Sequence, residues 1–174
     1  MGGSYKFPDL IELSDFNGDW VKYEDHLYSI FVSHFVYSKP LFKGKIVNYR
    51  RTPEVAGKIQ SFFHVTSVNS SLTKNPDDRI PDLRRCERIH WIRKIIDDYS
   101  NKVGIFSEIK CWAEDWKQYK RWHLLLEHYK FLVVIEERET YNLLVTSFYL
   151  EKDHQVKKKL KKFNDYVQMQ RTPF

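Results

Sequence analysis

Phe131-Leu132-Val133-Val134-Ile135 and, a short polar turn later, Tyr141-Asn142-Leu143-Leu144-Val145-Thr146-Ser147-Phe148 decide the fold class of this 174-residue chain. Both runs are rich in aliphatic and aromatic residues that suit a pleated, buried surface. The polar turn around Glu137 to Thr140 between them is what a hairpin requires, so strands are expected over 131–138 and 141–150. Two more β-like runs, about 107–113 and about 119–126, lie upstream after Gly104. Within 115–129, Trp116, Tyr119, Trp122 and Leu126 suit a helix nearly as well as alternation suits a strand, and we assign strand. The four runs in succession make an antiparallel meander.

Helices are expected on both sides of the meander. Downstream, Val156, Leu160, Phe163 and Val167 recur at spacings of four and three through Lys152–Gln168, with Lys157, Lys158, Lys159, Lys161 and Lys162 on the outward side. Upstream, Asp82 can cap a helix whose apolar side holds Leu83, Cys86, Ile89 or His90, Ile92, Ile95 and Ile96. Arg84 and Arg88, four apart, then share a face, with Arg85 one step round. Before it come a polar loop from Ser67 to Pro81, a strand from Ile59 to Ser67 carrying His64, and a turn marked by Arg51-Thr52-Pro53 and Gly57. Residues 42–50 suit a short strand. A first helix starts at Asn17-Gly18-Asp19, runs through Trp20, Tyr23, Leu27, Ile30, Phe31 and His34, and stops at Ser38-Lys39-Pro40.

The sum is α+β: helices packed on a mostly antiparallel four-stranded meander sheet, with an additional N-terminal helix and a basic C-terminal helix. One domain is expected over 1–174, with 1–58 as the N-terminal helix and extension and 59–168 as its core.

Composition narrows the function classes. A hydrophobic fraction of 42% with 12 Phe, 11 Tyr and 5 Trp argues against disorder. A net charge of +6 favours anionic partners, although 23 acidic residues exclude a histone-like polycation. Cys86 and Cys111 form neither a disulfide framework nor a CxxC pair, which suits a reducing cytoplasm. No run approaches the roughly 18 apolar residues of a membrane span. The Met1-Gly2-Gly3-Ser4 start lacks the order of a signal peptide, and Lys6 breaks the myristoylation pattern. Gly-rich phosphate loops of the common nucleotide-binding types are absent.

The densest chemistry lies in Phe62-Phe63-His64-Val65-Thr66 and Arg84-Arg85-Cys86-Glu87-Arg88-Ile89-His90-Trp91. An imidazole beside clustered guanidiniums is how a metal-free phosphate-handling site is supplied. His123 and His128 are five apart, miss the helical spacing for two ligands on one face, and have no evident third partner, so no metal is expected.

A helix carrying basic residues, followed by a four-stranded meander whose last hairpin ends in Leu143-Leu144-Val145-Thr146-Ser147-Phe148, resembles the phage-type branch of the barnase, EndoU, colicin D and RelE-like nucleases over roughly residues 60–165. The resemblance implies a small metal-independent ribonuclease of toxin or phage-effector type, without cofactor, that cleaves RNA by 2′-hydroxyl transesterification and is held by an inhibitor or antitoxin protein. It implies a catalytic set of His64, Arg85, Arg88 and Thr146. Candidate substrate contacts are Arg84, Trp91, Arg121, Ser147, Tyr149, Lys158 and Lys161. Thr146-Ser147-Phe148 departs from the family's Thr-Ala-Tyr, and the missing phenol leaves Tyr149 or Ser147 as substitutes.

The same residues admit a plainer account, with His64 packed, the arginines paired to Asp82 and Glu87, and Thr146 a simple strand former. The protein would then be a non-catalytic basic module that binds nucleic acid or a protein. The nuclease reading requires His64, Arg88 and Thr146 to face one cleft.

Overall fold

The computed structural model describes residues 6–73 and 78–172. In chain order the elements are α1 (Trp20–Phe31, continued by a π-helical turn at Val32–Tyr37), β1 (Leu41–Phe42), β2 (Lys45–Asn48), α2 (Gln60–Thr66), β3 (Ser67–Asn69) and β4 (Arg79–Pro81). There follow α3 (Leu83–Cys86), α4 (Ile89–Asn101), β5 (Ile109–Trp116), β6 (Tyr119–Leu126), β7 (Phe131–Glu137), β8 (Asn142–Tyr149) and α5 (Asp153–Arg171).

Strands β5 to β8 form the expected antiparallel meander, and the ambiguous 115–129 stretch resolves into the end of β5, a turn and β6. The expectation of a four-stranded antiparallel sheet is nevertheless wrong. The main sheet has six strands in the order β1-β2-β8-β7-β6-β5, with β2 parallel to β8, and it curls into a half-barrel. Asn142 explains the addition: its buried amide nitrogen donates to the carbonyls of Phe42 (2.6 Å) and Lys45 (3.3 Å), fastening the short β1–β2 hairpin to the start of β8. Such a bond joins residues about a hundred positions apart and has no local signature.

Two hydrophobic layers flank the sheet. Phe131, Val133 and Ile135 of β7 point into one, with α1, α2 and α4 supplying Tyr23, Leu27, Phe31, Phe62, Val65, Ile92 and Ile95. Leu132 and Val134 point into the other, with Trp112, Leu125, Leu150 and Val156 of α5. Burial on both faces is why β7 reads as a continuous apolar run and not an alternating one.

Residues 60–66 are helical, not the expected strand. Ile59, Phe62, Val65 and Thr66 are buried while Phe63 and His64 are half-buried, a helical periodicity inside a strand-like composition. Seven residues cannot sustain a helix alone, and here both ends are held by tertiary partners. The amides of Gln60 and Ser61 donate to the carbonyls of Arg51 (3.2 Å) and Arg50 (3.0 Å). At the other end, Thr146 Oγ1 donates to the His64 carbonyl (2.7 Å), Ser147 Oγ to that of Val65 (3.2 Å), and the Asp82 amide to that of Thr66 (2.9 Å). Helix α2 thus lies along β8 beyond its short pairing with β2.

The expected helix after Asp82 is two. Asp82 does cap it, accepting from the amides of Arg84 and Arg85, but Arg88 leaves helical geometry (φ −115°, ψ 12°) and separates α3 from α4. The expected polar loop from Ser67 to Pro81 begins and ends in the β3–β4 ladder, and its residues 74–77 lie outside the described residues. Among the described residues no helix is long and apolar enough to cross a membrane.

Candidate anion-binding cleft

The C-terminal part of α2, the β3–β4 ladder and the bulged middle of β8 surround a cleft of about 300 Å³. Arg50, His64, Asn69, Arg79 and Arg121 supply its polar lining, and Leu143, Leu144 and Val145 its floor. Three consecutive strand residues can line one cleft because the β7–β8 register shifts between Val134 and Ile135, leaving Val145 unpaired in a bulge. A second recess of about 230 Å³ shares Arg50, His64 and Arg79 and extends the surface to Phe63 and Val55.

Each cation is aimed by its surroundings. The guanidinium of Arg79 donates to the carbonyls of Phe63 (3.3 Å) and Ser67 (2.8 Å) and to the Asn69 side chain (2.8 Å), all neutral acceptors that fix its direction without cancelling its charge. Arg50 is held through its backbone amide, which donates to Ser61 Oγ at 2.7 Å. Arg121 donates through Nε to Glu136 (2.9 Å) and lies over the Trp116 ring at 4.1 Å, while Glu136 also pairs with Arg138. Among the described residues no carboxylate lines the cleft.

Burial, followed by the nearby charges of Arg79 and Arg50, lowers the His64 pKa from 6.5 to about 4. Its imidazole is therefore neutral at pH 7, and a weaker base than a free histidine. The cleft combines fixed positive charge, which favours an anion, with one neutral base.

Of the residues singled out in the sequence, His64 and Arg121 come together here. Thr146 does not join them: its hydroxyl is spent on the His64 carbonyl, accepts from Arg85 Nη1 at 3.4 Å, and faces the neighbouring recess. Ser147 is fully buried in its bond to Val65. Arg85 is 8% exposed, bound to the Ser67 carbonyl, 3.4 Å from the Asp82 carboxylate and laid over Phe148. Arg88 is 6% exposed, bound to the Arg84 carbonyl and to Glu87, and stacked on Tyr149 (4.2 Å) and Trp91 (5.2 Å). Tyr149 serves as the platform for that stack. Trp91 is buried and donates to the Pro8 carbonyl at 2.9 Å. Arg84 is exposed, 3.9 Å from Glu87, while on α5 Lys161 reaches Asp165 at 3.5 Å and Lys158 borders a shallow recess with Lys159 and Lys162.

Arg50, Arg79 and Asn69 were missed. Their one signal is position: Arg50 precedes the Pro53 turn, and Asn69 and Arg79 sit at the two ends of the polar segment that follows His64. No protein-family model, curated protein or solved structure matches the chain. Among the described residues no cluster of three or more His, Cys, Asp or Glu could hold a metal ion.

Proposed function

We propose that the cleft binds a phosphodiester of RNA and cleaves it by metal-independent transesterification. The observation that carries this reading is a neutral imidazole set among three guanidiniums in one cleft. Arg50, Arg79 and Arg121 hold the phosphate and stabilise the added negative charge of the phosphorane. His64 removes the proton from the 2′-hydroxyl, whose oxygen attacks phosphorus. The bond from phosphorus to the 5′-oxygen breaks, leaving a 2′,3′-cyclic phosphate, and solvent protonates the departing oxygen. Without a general acid in the lining among the described residues, a factor of about 10² to 10⁴ is forgone, so slow turnover is expected.

That missing acid also favours a second reading, a module that binds nucleic acid through the same cations without cutting it. RNA cleavage in excess EDTA, with product ends analysed for cyclic phosphate, separates the two. The nuclease reading expects cleavage that His64→Ala abolishes while the circular dichroism spectrum is unchanged. Salt-sensitive binding without cleavage, or cleavage at full rate in His64→Ala, refutes it. An RNA substrate and two free thiols fit the reducing cytoplasm. An activity of this kind there would be restrained by an inhibitor protein.

A further inference from the structure

Beyond the Val145 bulge lies another recess of about 210 Å³. It shares Arg121 and Val145 with the anion-binding cleft, so the two are neighbours across one arginine and one bulged residue. Its chemistry differs. Val134, Phe148 and Trp116 give it apolar walls, and Trp116 is 46% exposed, with Arg121 over its ring. Lys159 borders it from α5, and its remaining polar lining includes Glu114 and His123.

The hydrogen-bonding roles of that pair can be assigned. His123 Nδ1 lies 3.1 Å from the Arg121 carbonyl, which can only accept, so Nδ1 carries the proton. Burial, opposed by Glu114 and reinforced by Lys159, lowers the His123 pKa to about 4. The ring is then neutral at pH 7, and Nε2 is a bare acceptor. It stands 3.8 Å from Glu114 Oε1, itself an acceptor. Two acceptors face each other with no proton between them. Glu114 is held there by Trp112 Nε1 (2.9 Å) and Lys162 Nζ (2.6 Å), and His123 by parallel stacking on Trp112. A group with two N–H donors at ordinary hydrogen-bond length, roughly 2.9 Å from each acceptor, fits that gap.

We propose that this recess is a nucleobase subsite that takes a base bearing an exocyclic amine from the nucleotide next to the phosphate bound at Arg121. The inference rests on the anion-binding reading of the cleft, though not on catalysis. The amine donates to His123 Nε2 and Glu114 Oε1 while the base lies against Trp116. Uracil presents carbonyl oxygens where cytosine presents the amine, and an acceptor there meets two acceptors. A base must leave its duplex partner to enter, so the ligand is a single strand.

Deoxyoligonucleotides lack the 2′-hydroxyl and cannot be cleaved by this route, which separates binding from chemistry. Binding of fluorescein-labelled oligo-dC and oligo-dU of equal length to the full chain would be measured by anisotropy at fixed salt. Oligo-dC should bind about tenfold more tightly, the worth of one good polar contact. Glu114→Ala, which removes one of the two acceptors, should erase most of the preference. Trp116→Ala, at an exposed position that leaves the fold intact, should weaken both ligands several-fold. Equal affinities that Arg121→Ala lowers together would overturn the base subsite and leave the anion-binding cleft standing. No binding of either oligonucleotide would overturn both.

Discussion

Acidification from pH 7 to 5 should destabilise the fold by about 1–2 kcal/mol through His64 alone. The ring's pKa falls from 6.5 to about 4 on folding, chiefly by burial and then by Arg79 and Arg50. Between those values the unfolded chain binds a proton that the folded protein does not, so stability rises with pH through the window and is lost as pH falls through it. The full shift corresponds to about 3.4 kcal/mol, of which about 1.8 falls between pH 7 and 5. His64 is half-buried and opens on the cleft, and solvent screening brings the expected loss toward about 1 kcal/mol. His123, also near 4, and His34 and His90, lowered mainly by burial, act in the same direction. Glu114 and Glu137, held below 4.5, lose their contribution only at lower pH, outside this window. Urea denaturation of wild type and His64→Gln at pH 7, 6 and 5 isolates the ring. The variant should lose less stability than wild type over that range by about 1–2 kcal/mol. Parallel declines in the two proteins would refute a buried neutral His64 and with it the proposed base.

Three further outcomes test the account of the fold. Thr146→Val and Ser147→Ala should each destabilise by about 1–3 kcal/mol in urea titrations, because each leaves a helix-terminal carbonyl without its donor; Thr146→Ser, which keeps the donating hydroxyl, should avoid most of that loss, and a wild-type midpoint for Thr146→Val would remove the capping role. Gly104→Ala places a methyl group 2.4 Å from Asp98 Oδ2 at a φ of +55°, where Asp98 accepts from the Ile105 amide. A loss of at least about 1 kcal/mol in thermal or urea unfolding is expected, and a neutral result would refute the close approach. Burial pushes the Cys86 and Cys111 thiols up to about 12 and about 11, so Ellman's reagent should modify neither in native protein at pH 8 and both in denaturant.

The hairpin at 131–149 and the basic terminal helix were legible because burial against a single layer, or two, writes its period into the local sequence. Phe62-Phe63-His64-Val65 was not. Its composition suits a strand, and it is helical because Arg50, Arg51, Thr146 and Ser147 hold the ends of a segment too short to stand alone. The arginines of 84–88 were visible as a cluster, but the break at Arg88 voided the shared helical face, and Arg85 and Arg88 turned to Phe148 and Tyr149. His64 could be picked out by its chemistry alone. Its partners Arg50, Arg79 and Arg121 could not, since they come from a loop and two strands that meet only when β8 is bulged and α2 is laid beside it. The sequence by itself determined which segments had apolar faces to bury and that one imidazole and an excess of cations were present. The tertiary structure decided which cations were consumed by packing and which were left lining one cleft with the imidazole, because a side chain's direction depends on hydrogen bonds to residues distant in the chain.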